Sequence, residues 1–158
     1  MSQSGIANLS QSGGGSLANM HLTAPQTLTA AQIRSLNASP VTLIPAGGAN
    51  VQINVIALTY IFKYGGNNAF TNGSNISAYI GNAVSGSLNV AGTISTTVMT
   101  GTLNTCTYKV ATSPGTASGT NMTNLPVILG ASSAEYAGNA ADDNTLTVQV
   151  LYYLTNLS

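Results

Sequence analysis

The sequence predicts an all-β fold, an antiparallel sandwich or barrel carrying an extended N-terminal arm and one short helix. Three observations predict it. The apolar share is 44%, drawn mainly from Val, Ile, Leu, Ala and Tyr, with Thr, Ser, Asn and Gly making up most of the rest, a composition that favours strands. From Val41 onward, short apolar or alternating runs are separated by clusters of Gly, Asn, Ser and Pro. Charge is scarce as well: Arg34, Lys63, Lys109, Glu135, Asp142 and Asp143 are the only charged side chains in 158 residues.

A soluble domain is about a quarter charged. Charge keeps free proteins apart and supplies most acids, bases and ligands of active sites, so a net-neutral chain at 4% charged reads as a component of an assembly. The length suits one domain, which at this size buries roughly 70% of its unfolded surface. No run approaches the roughly 20 apolar residues of a membrane span, and Met1 to Gly5 has neither the basic start nor the apolar stretch of a secretory signal. A soluble, cytoplasmically made chain is therefore expected. The single Cys106 excludes an internal disulfide, and three basic residues leave no electrostatic footprint for nucleic acid or anionic lipid.

Along the chain, residues 1–26 read as an arm outside the core and residues 27–158 as a single sandwich domain. The arm carries Gly13, Gly14 and Gly15 among Ser, Gln and Asn. Its spaced apolar residues Ile6, Leu9, Leu17 and Met20 show no sustained period, so it is either a frayed end or a segment that docks on a neighbour. The stretch from Leu28 to Asn37 carries a helix: Thr29 caps it, Gln32 reaches back to the amide of the cap, and Leu28 staples onto Ile33. Asn37 suits a left-handed stop, and Pro40 prevents continuation.

Strands follow. Val41 to Ala46 is short and ends at Pro45, Gly47 and Gly48. Val51 to Tyr64 is long; Val51, Ile53 and Val55 point inward and Gln52 and Asn54 outward. Its second half, Ile56 to Tyr64, is apolar on both faces, which places it centrally in a sheet or under a cover. Tyr60, Phe62 and Tyr64 share one side and are expected to form a contact surface. Further strands are expected at Ile76 to Ile80, Ser87 to Val90, Thr93 to Thr100, Thr105 to Ala111, Leu125 to Leu129 and Leu146 to Leu154. In the last of these, Leu146, Val148, Val150, Tyr152 and Leu154 point one way, while the opposite face turns apolar at Leu151 and Tyr153. There is no internal repeat and no linker dividing the strand region.

The order of these motifs resembles a known family. Leu28 to Leu36 (LTAAQIRSL) is followed by Ser39 to Ala46 (SPVTLIPA), a Gly-rich turn and a long apolar strand; later come Leu125 to Leu129 (LPVIL), a Tyr136 turn (YAGN) and Asp143 to Tyr153 (DNTLTVQVLYY). This is similar to small β-sandwich virion proteins of tailed bacteriophages, which include capsid decoration (cement) proteins and related tail-associated modules. The resemblance implies a jelly-roll-like sandwich and a homotrimer fixed to the outside of a shell of HK97-like major capsid protein, a structural virion protein with no catalytic residues. The chain departs from the pattern in its low charge, its long arm and the stretch from Asn67 to Thr123. An alternative is a tail or fibre-associated module that binds a host-surface receptor or glycan.

For catalysis the inventory is thin, and no enzyme activity is expected. A Ser or Cys nucleophile needs a base within hydrogen-bond reach, and the one histidine, His21, lies in the arm far along the chain from Cys106. Cys106 itself is expected to fill a gap in the core. Asp142, Asp143 and Asn144 are turn chemistry before the final strand. Glu135, Asp142 and Asp143 with backbone carbonyls are the one oxygen-rich set that could hold calcium. Zinc has no Cys/His cluster, and no P-loop or dinucleotide fingerprint is present, so no cofactor is expected. Tyr79, Tyr108, Tyr136, Tyr152 and Tyr153 are candidates for a glycan surface, though tyrosines on strands more often pack against neighbours.

Overall fold

The structure, a computed structural model, describes residues 20–90, 92–111 and 122–157. Ile6, Leu9 and Leu17 lie outside the described residues. The elements run β1 (Met20–Leu22), β2 (Gln26–Leu28), α1 (Ala30–Arg34), β3 (Val41–Ile44), β4 (Val51–Lys63), β5 (Phe70–Asn72), β6 (Ile76–Ile80), β7 (Leu88–Asn89), α2 (Thr96–Met99), β8 (Thr105–Val110), β9 (Val127–Ala131), β10 (Tyr136–Gly138) and β11 (Thr145–Asn156). All strand pairs are antiparallel.

Two sheets pack across one core. The first runs β1-β11-β4-β8, with β2 also paired to β11, and the second runs β3-β9-β6-β7. Setting aside β1 and the small β10-β5 ribbon, eight strands remain; numbered in chain order they lie 1-8-3-6 in the first sheet and 2-7-4-5 in the second. That is the jelly-roll arrangement of two interlocked Greek keys. The expected all-β sandwich is thus the fold. Leu58, Tyr60 and Phe62 of β4 and Leu146, Val148 and Val150 of β11 share one buried cluster with Ile76, Ala78, Val127 and Leu129 of the other sheet.

Local chemistry starts the helix as expected. The Gln32 amide donates to Thr29 Oγ1 at 3.3 Å and the Thr29 amide donates to Gln32 Oε1 at 2.9 Å, a closed capping box. The helix stops differently: Ser35 is the C-cap at φ −110°, and Asn37 does not take the left-handed conformation. Instead the Asn37 and Ala38 amides donate to the Glu135 carboxylate at 2.9 and 2.6 Å, so a distant side chain satisfies the backbone beyond the helix end.

The long strand β4 is central, between β11 and β8. The switch of its inward-facing positions from odd to even residues has a specific cause. Leu151 pairs with Ala57 but Tyr152 pairs with Val55, leaving Ile56 as an extra residue on β4. This bulge reverses the parity of the strand: Ile53 points inward before it, and Leu58, Tyr60 and Phe62 point inward after it.

Three expectations need correction. Thr93 to Thr100 is not a strand; Ile94 makes only a bridge to Ile76, and Thr96–Met99 forms one helical turn. Asn75 Oδ1 accepts from the Thr96 amide at 3.1 Å and Met99 is fully buried, so tertiary contacts override the β-propensity of Thr and Val. The Tyr136 turn is a strand, since Tyr136 pairs with Asn72 and Gly138 with Phe70. Finally, the sandwich takes in residues ahead of position 27: Met20–Leu22 pairs with β11 through Tyr153, Tyr152 and Leu151.

Candidate interaction surface

The two sheets differ on their outer sides. In the second sheet β6 and β9 are buried at every position, on both faces. The segment between β6 and β7 contributes to this cover, because Gly130 lies against Val84 with no room for a Cβ. Ser77 and Thr93 also close over this side, their hydroxyls 2.9 Å apart. Among the described residues nothing comparable covers the first sheet.

Cross-strand partners share a face, so the register maps that outer surface directly. One row crosses four strands as Leu22, Leu151, Ala57 and Val110. Beside it run Gln149, Thr59 and Tyr108, and next Thr27, Thr147, Ile61 and Cys106. On the other side lie Met20, Tyr153 and Asn54. Met20 is 70% exposed, Leu22 63%, Ile61 46%, Tyr108 63% and Val110 61%, so five of the eight large exposed hydrophobics fall on this one face. Its only charged member is Lys63, paired with Thr145 at the end of β4. Lys109 turns the other way, its stem beside Gly92. The face is apolar at its centre and hydroxyl- or amide-bearing around it.

The structure redistributes the expected contact residues. Tyr60 and Phe62 are fully buried core residues and offer no surface; the bulge at Ile56 is what turns them inward. Tyr64 is half-buried against the core. Leu151 and Tyr153 do lie on the outer face, half-buried, and Met20 stands at its edge. Sequence alone missed Leu22, Ile61, Tyr108 and Val110 as a set. The signal was present in the exposed parity of the strand carrying Cys106, Tyr108 and Val110, but reading it required the register.

Cys106 is exposed on β8, which corrects its assignment to the core. His21 is exposed on β1 and stacks on Tyr152 with ring centroids 5.2 Å apart. β1 and β8 are opposite edges of the sheet, three strand spacings or about 14 Å apart, so the thiol and the imidazole cannot form a nucleophile–base pair.

The remaining charges gather at one end. Arg34 and Asp142 are 2.6 Å apart, and with Asp142 61% exposed the pair contributes little stability. Asp143 accepts from the Asn139 side chain at 2.7 Å and from the Asn67 side chain at 2.6 Å, and these bonds hold its carboxyl below the ordinary value of 3.8. Asn139 and Asn144 are fully buried; both side-chain amides donate to Asn68 O, and Asn144 Oδ1 accepts from the Gly65 amide. With Glu135 spent on Asn37 and Ala38, each carboxylate of the calcium candidate has a protein partner. Among the described residues no group of three or more His, Cys, Asp or Glu side chains could hold a metal.

A cavity of about 440 Å³ lies on the second sheet, lined by Ile80, Ser87, Leu88, Met122 and Leu125 among others, with no titratable side chain. It lacks the convergent polar groups of a small-molecule site. Among the described residues no helix is long and apolar enough to cross a membrane. Among the described residues the chain is an antiparallel jelly-roll sandwich with an open sheet face on which Lys63 is the one charge. Comparison of the chain with protein-family models, with curated proteins and with solved structures finds no match to any of them.

Proposed function

We propose that this chain is a structural virion protein that binds the outside of a bacteriophage capsid and stabilises it, as a homotrimer on a shell of HK97-like major capsid protein. The observation that carries the proposal is the outer face of the β1-β11-β4-β8 sheet on a jelly-roll sandwich, uncharged but for Lys63 at the end of β4. Jelly rolls recur in viral capsids, and the fold supports this reading by analogy. The physical case is desolvation: a Thr, Asn and Ser surface loses less solvation free energy on burial than a charged one, so wide neutral contacts form at low cost. Bridging adjacent shell proteins in this way would tie them together against the pressure of a packaged genome.

Copy number relative to the major shell protein in purified particles tests this. A ratio comparable to the shell protein, together with shells that open at lower temperature when the protein is omitted, is the expected result. A second reading is favoured by Tyr108, which stands 63% exposed beside Thr59 as a glycan-binding tyrosine would. It makes the chain a tail or fibre-associated module binding a host-surface receptor, and a handful of copies per particle would select it.

A further inference from the structure

We infer that the outer face of the β1-β11-β4-β8 sheet is where copies of this chain meet one another, packing through Leu22, Leu151, Val110, Tyr108 and Ile61. The inference adds to the assembly reading above a contact that reading does not contain: a face packed on its own copy closes a two-fold pair, distinct from the threefold contact of a trimer, and it rests on that reading only for the purpose the contact serves.

Size supports an interface. Four strands about 4.8 Å apart and seven residues of about 3.3 Å each give a flat footprint of about 440 Å² per copy. Two copies remove about 900 Å² before side-chain relief is counted, above the roughly 800 Å² of most chance contacts and approaching the roughly 1,200–2,000 Å² of specific ones. A footprint of about 440 Å² lies within the roughly 300–600 Å² of the largest patch on a typical monomer, so extent alone does not name the occupant.

Charge identifies the occupant. A partner must present a similar area with almost no charge, since each charged group set against Leu22, Leu151, Ala57 and Val110 would be desolvated without a counter-ion. Surfaces of unrelated soluble proteins are about a quarter charged or more. The chain's own face meets the requirement and is always present at matching concentration. Identical faces normally risk setting like charges against each other, yet here only Lys63 could do so, and it sits at the end of β4. Sheets packing face to face lie about 10 Å apart with interdigitated side chains. Ala57, small and buried between Leu151 and Val110, provides the low point in the row that such interdigitation needs.

Cys106 on the same face reports contact without any mutation. The test measures sedimentation mass of the purified full chain from 1 to 100 µM, on the order of ordinary self-association constants, alongside the rate at which a bulky maleimide labels Cys106. The expected result is an oligomer with Cys106 protected, and protection lost on dilution as the mass falls. Val110→Lys and, separately, Leu22→Lys should each weaken self-association at least about tenfold, the effect of burying one unpaired charge. Both positions are exposed in the folded chain, so the variants should melt like the parent, and Thr42→Lys on the opposite sheet should leave the mass unchanged. A wild-type monomer with freely labelled Cys106 at the highest concentration would overturn the inference. So would an oligomer whose mass survives both face variants while Cys106 stays open. Neither result depends on particle composition, so failure here is distinct from failure of the virion proposal.

Discussion

Single residues carry the polar exceptions of the core, and two tyrosines show how differently a buried hydroxyl can be housed. Tyr136 OH donates to Ser74 O, and its ring packs edge-on to Phe70 at 5.8 Å over Gly73, where a side chain would collide with it. Burial pushes its pKa up to about 12. Tyr60 is equally buried, but its hydroxyl finds no partner among the described residues. Removing a paired buried hydroxyl strands its acceptor, whereas removing an unpaired one relieves a desolvation cost. Tyr136→Phe should therefore lower stability by about 1–2 kcal/mol and Tyr60→Phe should leave it equal or higher by up to about 1 kcal/mol, as read from urea unfolding midpoints. Asp143 gives the pH counterpart. Its folded pKa is depressed, so the stability it contributes is complete above the unfolded value near 3.8 and is lost as pH falls through the folded value. Thermal melts between about pH 2 and 5 should fall more steeply for the parent than for Asp143→Asn; parallel curves would show that the Asn139 and Asn67 bonds to Asp143 do not govern acid stability.

At the scale of elements, legibility followed locality. The capping box was readable because Thr29 and Gln32 are three residues apart and satisfy each other; Thr29→Ala should cost about 1 kcal/mol, seen as a lower unfolding midpoint with unchanged slope. The strands β3, β4, β6, β8, β9 and β11 were also visible within a few residues, because alternation or apolar runs mark them. What depended on distant partners was not visible. β10 reads as a turn until Asn72 lies beside Tyr136, and α2 reads as a strand until Asn75 caps its first turn. The bulge at Ile56 is the most consequential case. A single extra residue decides which parity of β4 becomes core, so Tyr60 and Phe62 look like a contact surface by pattern and become interior by register. The abundance of Asn has a structural use that composition did not reveal: Asn50, Asn72, Asn124 and Asn139 occupy left-handed positions, which Asn tolerates better than most residues, so Asn shares these turn positions with glycines such as Gly48, Gly73 and Gly138.

The whole molecule is organised by where charge is absent. Four of the six charged residues, Arg34, Glu135, Asp142 and Asp143, are engaged with one another's neighbourhood at the end formed by α1, β10 and the turn before β11. Strands β6 and β9 are covered on both faces, whereas among the described residues the outer face of the first sheet is left open with Lys63 as its one charge. Assembly through that face has a distinctive ionic signature. Contacts built on ion pairs weaken as salt shortens the Debye length from about 30 Å at 0.01 M to about 3 Å at 1 M. Contacts built on apolar and hydroxyl groups do not, and sulfate strengthens them by its exclusion from protein surface. Self-association measured by sedimentation should accordingly change less than about threefold between 0.01 and 1 M sodium chloride and rise in sodium sulfate. A steep fall with chloride would place the contact at the charged end near Arg34 and Asp142 instead. The same uncharged character that would hold copies together would also leave the free chain with little repulsion to keep it dispersed, so an orderly partner surface, rather than charge, is what would limit its association to a defined assembly.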